Sequence, residues 1–228
     1  HESTGRFIPL TQIKNSEDLD NFIREMIPLL HLKPEQADPI KYIISELVRN
    51  VLEHANSSCG AIVCAQYYKK SNTIRIGVVD IGVGIRSTLD RYYHPKNDLE
   101  AIYLALTPGI TGTTKKIGGT ERNAGAGLFF IKSLAKISRD FFMIYSGEAM
   151  YKLLKTNKKK EIKLVSKPSQ DHFSSKQNLP SWRGTAVGID ICLNETINFS
   201  DLLDLIRKVY SEGKKEENKL KYKKPRFI

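Results

Sequence analysis

Cysteine is scarce in this 228-residue sequence: Cys59, Cys64 and Cys192 are the only three. They are odd in number and no CxxC pair occurs, which argues against a disulfide framework or a zinc site and points to a reducing, cytoplasmic compartment. No run of about 18 apolar residues is present, so no membrane span is expected. No secretory leader is visible, and the chain begins with His1 rather than Met, so an upstream segment lies beyond this reading. The GxxxxGK[ST] spacing is missing, which excludes a Walker A loop. A dinucleotide fingerprint fails too: Gly125-Ala126-Gly127 lacks the third glycine and stands about 40 residues past the nearest strand-like run. Aromatic residues do not alternate with the lysines as base-stacking platforms would require.

Hydrophobic residues make up 40% of the chain, enough to bury a sizeable core. The net charge of +11 is uneven: residues 1–149 hold 18 Lys and Arg against 16 Asp and Glu, whereas residues 150–228 hold 18 against 9. The basic C-terminal third could serve nucleic acid, an acidic protein or anionic lipid, or be a solubilising face with a disordered tail.

Ser16 caps an expected helix through Leu19, Phe22, Ile23, Met26, Ile27 and Leu30, with Pro28 as an early stop or kink. Asp38-Pro39 reads as the opening of a second helix whose apolar residues are Ile40, Ile43, Ile44, Leu47, Val48, Val51 and Leu52. Glu46 and Asn50 stand one turn apart at the edge of that stripe, and Asn56-Ser57-Ser58 ends it. By themselves they are also what an ordinary polar flank would show. A β-hairpin follows, over residues 60–68 and 73–79, and delivers Asp80, Gly82 and Gly84 at a strand end. A carboxylate there can accept from an exocyclic amine while the glycines admit a flat ring, although a glycine turn with an Asp cap has the same composition.

Asp98 to Leu106 is helix-like, and residues 86–124 are otherwise mixed. Residues 108–120 combine glycine, hydroxyls and lysines in what reads as a loop able to fold over a phosphate chain. Gly125 and Gly127 open a helix through Leu128, Phe129, Ile131, Leu134 and Ile137, and a helix start free of Cβ atoms suits an anion. Strands are expected at 141–146, 149–154 and 183–193, with a polar hairpin loop over 157–181 and Trp182 at its end. Ser200 caps a last helix, and residues 213–228 read as a charged, disordered tail or linker after a domain of residues 1–212.

Glu46-xxx-Asn50, Asp80-x-Gly82-x-Gly84, Gly125-x-Gly127-Leu128 and Gly184-Thr185 occur in one order, and that ordered set resembles the GHKL or Bergerat ATP-binding domain of gyrase, the related heat-shock chaperone, histidine kinases and MutL. The likeness covers roughly residues 5–195, and Thr107-Pro108-Gly109-Ile110-Thr111-Gly112 is similar to the lid of the histidine-kinase and anti-sigma-factor serine-kinase branch. It implies an α/β (α+β) two-layer sandwich: a mixed, largely antiparallel sheet with helices on one face. It implies ATP and Mg²⁺ as ligands, with Asn50 on the metal and Glu46 orienting or deprotonating the attacking water or hydroxyl. Asp80 would take the adenine amine, Gly84 would give the ring room, and Thr185 would support Asp80 through water. Gly125 and Gly127 would meet phosphates, with Gly82, Thr113 and Leu128 placed in the same nucleotide site. Lys115, Lys116 and Arg122 are lid cations that no motif assigns individually.

The implied activity is ATP hydrolysis or γ-phosphate transfer to a protein partner. A nucleotide-gated interaction module with little turnover and a basic, nucleic-acid-binding ATPase module are the alternatives, and a homodimer is left open. Two departures stand out. No dimerisation hairpin with a phospho-accepting histidine is visible, His54 reading as a packing residue and His31 as a loop residue. No transducer domain is evident after these motifs in this sequence, which disfavours a gyrase- or MutL-type clamp.

Overall fold

The computed structural model describes residues 7–29, 32–114, 125–154, 162–193 and 199–222. Seven strands form one sheet: β1 (Phe7–Ile13), β2 (Ala61–Tyr68), β3 (Thr73–Val79), β4 (Phe142–Gly147), β5 (Ala149–Leu153), β6 (Phe173–Lys176) and β7 (Trp182–Cys192). Their order is β1-β2-β3-β7-β4-β5-β6, and every pairing is antiparallel, so no mixed sheet is seen among the described residues. The expected β5–β7 hairpin is replaced by two separate pairings. β5 lies between β4 and β6, and β7 crosses to lie between β3 and β4.

Alternation explains why the sheet has one buried face. Val63, Val78, Val187, Ile144 and Tyr151 stand opposite one another across five strands and are all buried. Their neighbours in sequence, such as Ile62, Val79, Ala186 and Tyr145, point the other way and are half-buried. Helices cover the first face: α1 (Ser16–Leu29), α2 (Pro34–Asn50), α3 (Gly84–Tyr93), α4 (Asp98–Ala105), α5 (Gly127–Ile137) and α6 (Phe199–Tyr222). The chain is therefore an α+β protein with an antiparallel sheet and six helices among the described residues.

Several boundaries differ from expectation. Asn15 rather than Ser16 caps α1, its Oδ1 accepting from the Asp18 amide at 2.9 Å, and Ser16 is the first helical residue. α2 opens at Pro34 rather than Asp38, where Gln36 Oε1 accepts from the Lys33 amide at 3.1 Å; Pro39 then sits inside the helix. α2 does not end as an α-helix but widens into a π turn, Val51–Ala55, which Asn56 closes in the left-handed region (φ 47°). α3 occupies part of what reads as mixed sequence. α6 begins at Phe199 and runs past Gly213 to Tyr222, so residues 213–222 are helix rather than tail, and 223–228 lie outside the described residues. At Gly213 a Cβ would come 2.5 Å from Ser166 Cβ and 3.1 Å from Pro108 Cγ, so the glycine lets α6 press on the segment after α4. Tyr42, Phe130, Phe199 and Tyr210 join α2, α5 and α6 through ring contacts at 5.9–6.3 Å.

Candidate nucleotide site

A cavity of about 320 Å³ opens between α2, α3, the start of α5 and the sheet. Val78, Ile144 and Val187, three members of the buried cross-sheet row, supply part of its apolar wall. Glu46, Asn50, Asp80, Gly84, Gly125, Gly127, Leu128 and Thr185 all line it. Residues from four distant stretches of sequence thus reach one cavity.

Asp80 is 2% exposed. Its Oδ1 accepts from the Gly82 amide at 2.7 Å and its Oδ2 from the Thr185 amide at 3.2 Å. Burial raises its carboxyl above the ordinary value, and those two amide donors offset part of the rise. No ion pair among the described residues reaches it. Thr185 therefore supports Asp80 directly, through its own backbone N–H. Trp182 Nε1 donates to the Asp80 carbonyl at 3.2 Å, which ties the start of β7 to the end of β3.

Each glycine of the motifs has a local packing reason. Gly82 is not in the cavity wall: a Cβ there would lie 2.0 Å from the Ala55 carbonyl oxygen, so it packs on the end of the π turn and presents its amide to Asp80. The Val83 amide donates to the same carbonyl at 2.7 Å. Gly84 has φ +77°, and a Cβ would point at Ser146 Oγ (3.1 Å) and Gly184 O (3.3 Å), so its role is to let the chain turn into α3. At Gly127 a Cβ would meet Glu46 Oε2 at 2.5 Å, so the glycine makes room for the carboxylate at the start of α5.

Glu46 is half-buried, and its carboxyl is pushed up by burial, with Arg49 pulling it down and Glu53 pushing it up. Asn50 Nδ2 is buried with no hydrogen-bond partner among the described residues. An orphaned amide costs free energy in a closed fold and is expected where a ligand completes the bonding. Arg49, absent from the sequence expectation, also lines the cavity, as do His54 and Glu53.

Besides Gly82, one expected and described residue stands outside the wall. Thr113 is exposed; Thr111 and Gly112 line the cavity instead, with Thr111 Oγ1 at 3.1 Å from Thr113 Oγ1. Lys115 and Lys116 lie outside the described residues, as does Arg122. Gly125 (φ +64°) fixes the base of that segment, because its carbonyl accepts from the Gly109 amide at 3.1 Å and a Cβ would strike Ile110 O at 2.4 Å. Among the described residues no group of three or more His, Cys, Asp and Glu could hold a metal, and no helix is long and apolar enough to cross a membrane. The sequence matches no protein-family model and no curated protein.

Proposed function

We propose that the chain is a Bergerat-fold, histidine-kinase-like domain that binds Mg-ATP and hydrolyses it or passes its γ-phosphate to a protein partner. The observation that carries this reading is the Asp80 carboxylate. It is buried, oriented by two backbone amides, unpaired with any cation among the described residues, and placed in one cavity with Glu46, Asn50 and the glycine start of α5. A carboxylate so held recognises a neutral donor such as the adenine amine, whose flat ring suits the apolar wall.

Charge supports the metal. Among the described residues Glu46, Glu53 and Asp80 line the cavity against Arg49, so a bare polyphosphate meets an unfavourable field from these side chains. Asn50 would hold Mg²⁺, which keeps most of its waters and neutralises phosphate charge when bound; its side-chain oxygen and nitrogen exchange places by a flip, so the buried, unpaired end suits either ligand. The free amides at the start of α5 suit phosphate oxygens. Glu46, with its raised carboxyl, is placed to take a proton from an attacking water or hydroxyl.

Calorimetric titration with ATP and ADP, with and without Mg²⁺, tests binding, and Glu46→Ala should keep binding while losing turnover. Equal turnover in wild type and variant would remove Glu46 from the chemistry. A nucleotide-gated interaction module is the second reading, favoured by α6, which touches Pro108 through Gly213 and α2 through the ring contact of Phe199 with Tyr42, itself in the cavity wall. Recovery of a partner that is the same with ATP, ADP and no nucleotide would dismiss it.

A further inference from the structure

Ser146 stands on β4, is 2% exposed and is not part of the cavity wall. Its hydroxyl is fully engaged. It donates to the Gly184 carbonyl at 2.8 Å, accepts from the Ile85 amide at 3.0 Å, and lies 3.3 Å from Thr185 Oγ1. Those partners belong to the two segments that hold Asp80, one donating the Gly82 amide and the other the Thr185 amide. One oxygen atom therefore ties together both arms of the grip on the carboxylate.

Two glycines are shaped around the same point. A Cβ on Gly84 would come 3.1 Å from Ser146 Oγ, and one on Gly184 (φ +113°) would come 2.2 Å from the Asp80 carbonyl oxygen and 2.7 Å from Asp80 Oδ1. The Thr185 bond to Oδ2, at 3.2 Å, is at the long end of the N–H···O range, so a small shift of the Gly184 segment loses it.

We propose that Ser146 is a positioning residue that fixes the Asp80 carboxylate to receive an exocyclic amine, and thereby sets the preference of the cavity for a 6-amino purine over a 6-oxo purine. The inference rests on the nucleotide reading of the cavity. Without the hydroxyl, the Ile85 amide and the Gly184 carbonyl lose a buried partner. The two arms relax, and the carboxylate no longer points one way. A site built to bond a donor rejects an analogue that lacks it only while its own group is held in place.

The test is calorimetric titration of wild type, Ser146→Ala, Ser146→Cys and Ser146→Thr with Mg-ATP and Mg-ITP, which carries a carbonyl where ATP carries the amine. Wild type should prefer ATP. Ser146→Ala should lower the ATP-to-ITP affinity ratio about tenfold, the worth of one well-formed buried hydrogen bond. Ser146→Cys, which keeps the shape with a weak donor, should lower it in the same direction and serves if the alanine protein does not fold. Ser146→Thr, which keeps the hydroxyl, should restore it. The ratio is the deciding readout because loss of folded protein weakens both nucleotides equally. An unchanged ratio in the Ala and Cys proteins beside a wild type that prefers ATP overturns this inference alone. A wild type that binds neither nucleotide overturns the nucleotide reading, and this inference with it.

Discussion

Asp80 and Asp171 are the two acidic residues buried among the described residues, and their surroundings are opposite. Asp171, after a 3₁₀ turn at Pro168–Gln170, accepts from Lys132 Nζ at 2.5 Å, from Lys136 Nζ, and from the Tyr151 hydroxyl at 3.3 Å. Burial pushes the Lys132 ammonium down while Asp171 holds it up. Burial also pushes the Tyr151 phenol up, and Asp171 adds to that rise. Asp80 has two neutral amides and a cavity. Asp171 is closed by counter-charges and joins α5 to the β5–β6 side of the sheet. Asp80 lines the cavity with no cation among the described residues to pair with it. Burial alone therefore does not single out Asp80 as the candidate ligand-binding carboxylate; burial with the charge uncompensated does.

The largest effect expected from that contrast is at Asp171. Asp171→Ala leaves Lys132, whose side chain is 1% exposed, as a buried cation without its partner, and breaking a buried pair this way costs about 3–5 kcal/mol. Urea unfolding should show that loss. Adding Lys132→Met should recover most of it, because the stranded charge is removed with its partner. A loss below about 1 kcal/mol would mean that Lys132 sheds its proton or reaches water at little cost once Asp171 is gone, and the contrast with Asp80 would weaken.

Asp80→Asn is expected to do the reverse. One amide bond is lost, since the Asn nitrogen cannot accept, while the cost of burying a charge is relieved, so stability should stay within about 1 kcal/mol of wild type. ATP affinity should fall on the order of a hundredfold, read by calorimetry, because the side chain now turns a donor toward another donor. Unaltered affinity would take the amine contact away from Asp80.

This division of roles was only partly legible in sequence. The α2 stripe, the β2–β3 hairpin and the glycine opening of α5 follow from local periodicity and turn chemistry, and they bring Glu46, Asn50, Asp80 and Gly127 to one place. Asp38-Pro39 misleads because it satisfies the rules for a helix start, while Pro34 with Gln36 satisfies them one turn earlier. The π turn has the composition of the helix it continues. Residues 213–222 look like a tail because they are charged, and the contact that orders Gly213 comes from Pro108 and Ser166, far along the chain. Lys132 and Asp171 are 39 residues apart and Ser146 and Gly184 are 38 apart, with nothing local to signal either pair. A serine alternating into the buried face of β4 was the one available hint for Ser146.

The smallest and most specific effect is in pH dependence. Burial raises the folded-state pKa of Asp80 above its ordinary value of 3.8, so between those two values the native protein holds a proton that the unfolded chain has released. Stability from this group is therefore greatest below 3.8 and declines as pH rises through the folded pKa, where the buried carboxylate must ionise. Asn cannot ionise, so the Asp80→Asn protein should gain on wild type as pH rises from about 3 to 7, with the gain levelling off once the wild-type carboxylate is fully ionised. Urea midpoints measured across that range give the curve. A constant difference between the two proteins would mean that the two amides offset burial completely, and Asp80 would then resemble Asp171 in being satisfied by the fold. Added Mg-ATP should flatten the wild-type decline, because a donor on the carboxylate stabilises its charged form; ligand that shifts both proteins equally would place the nucleotide elsewhere in the cavity.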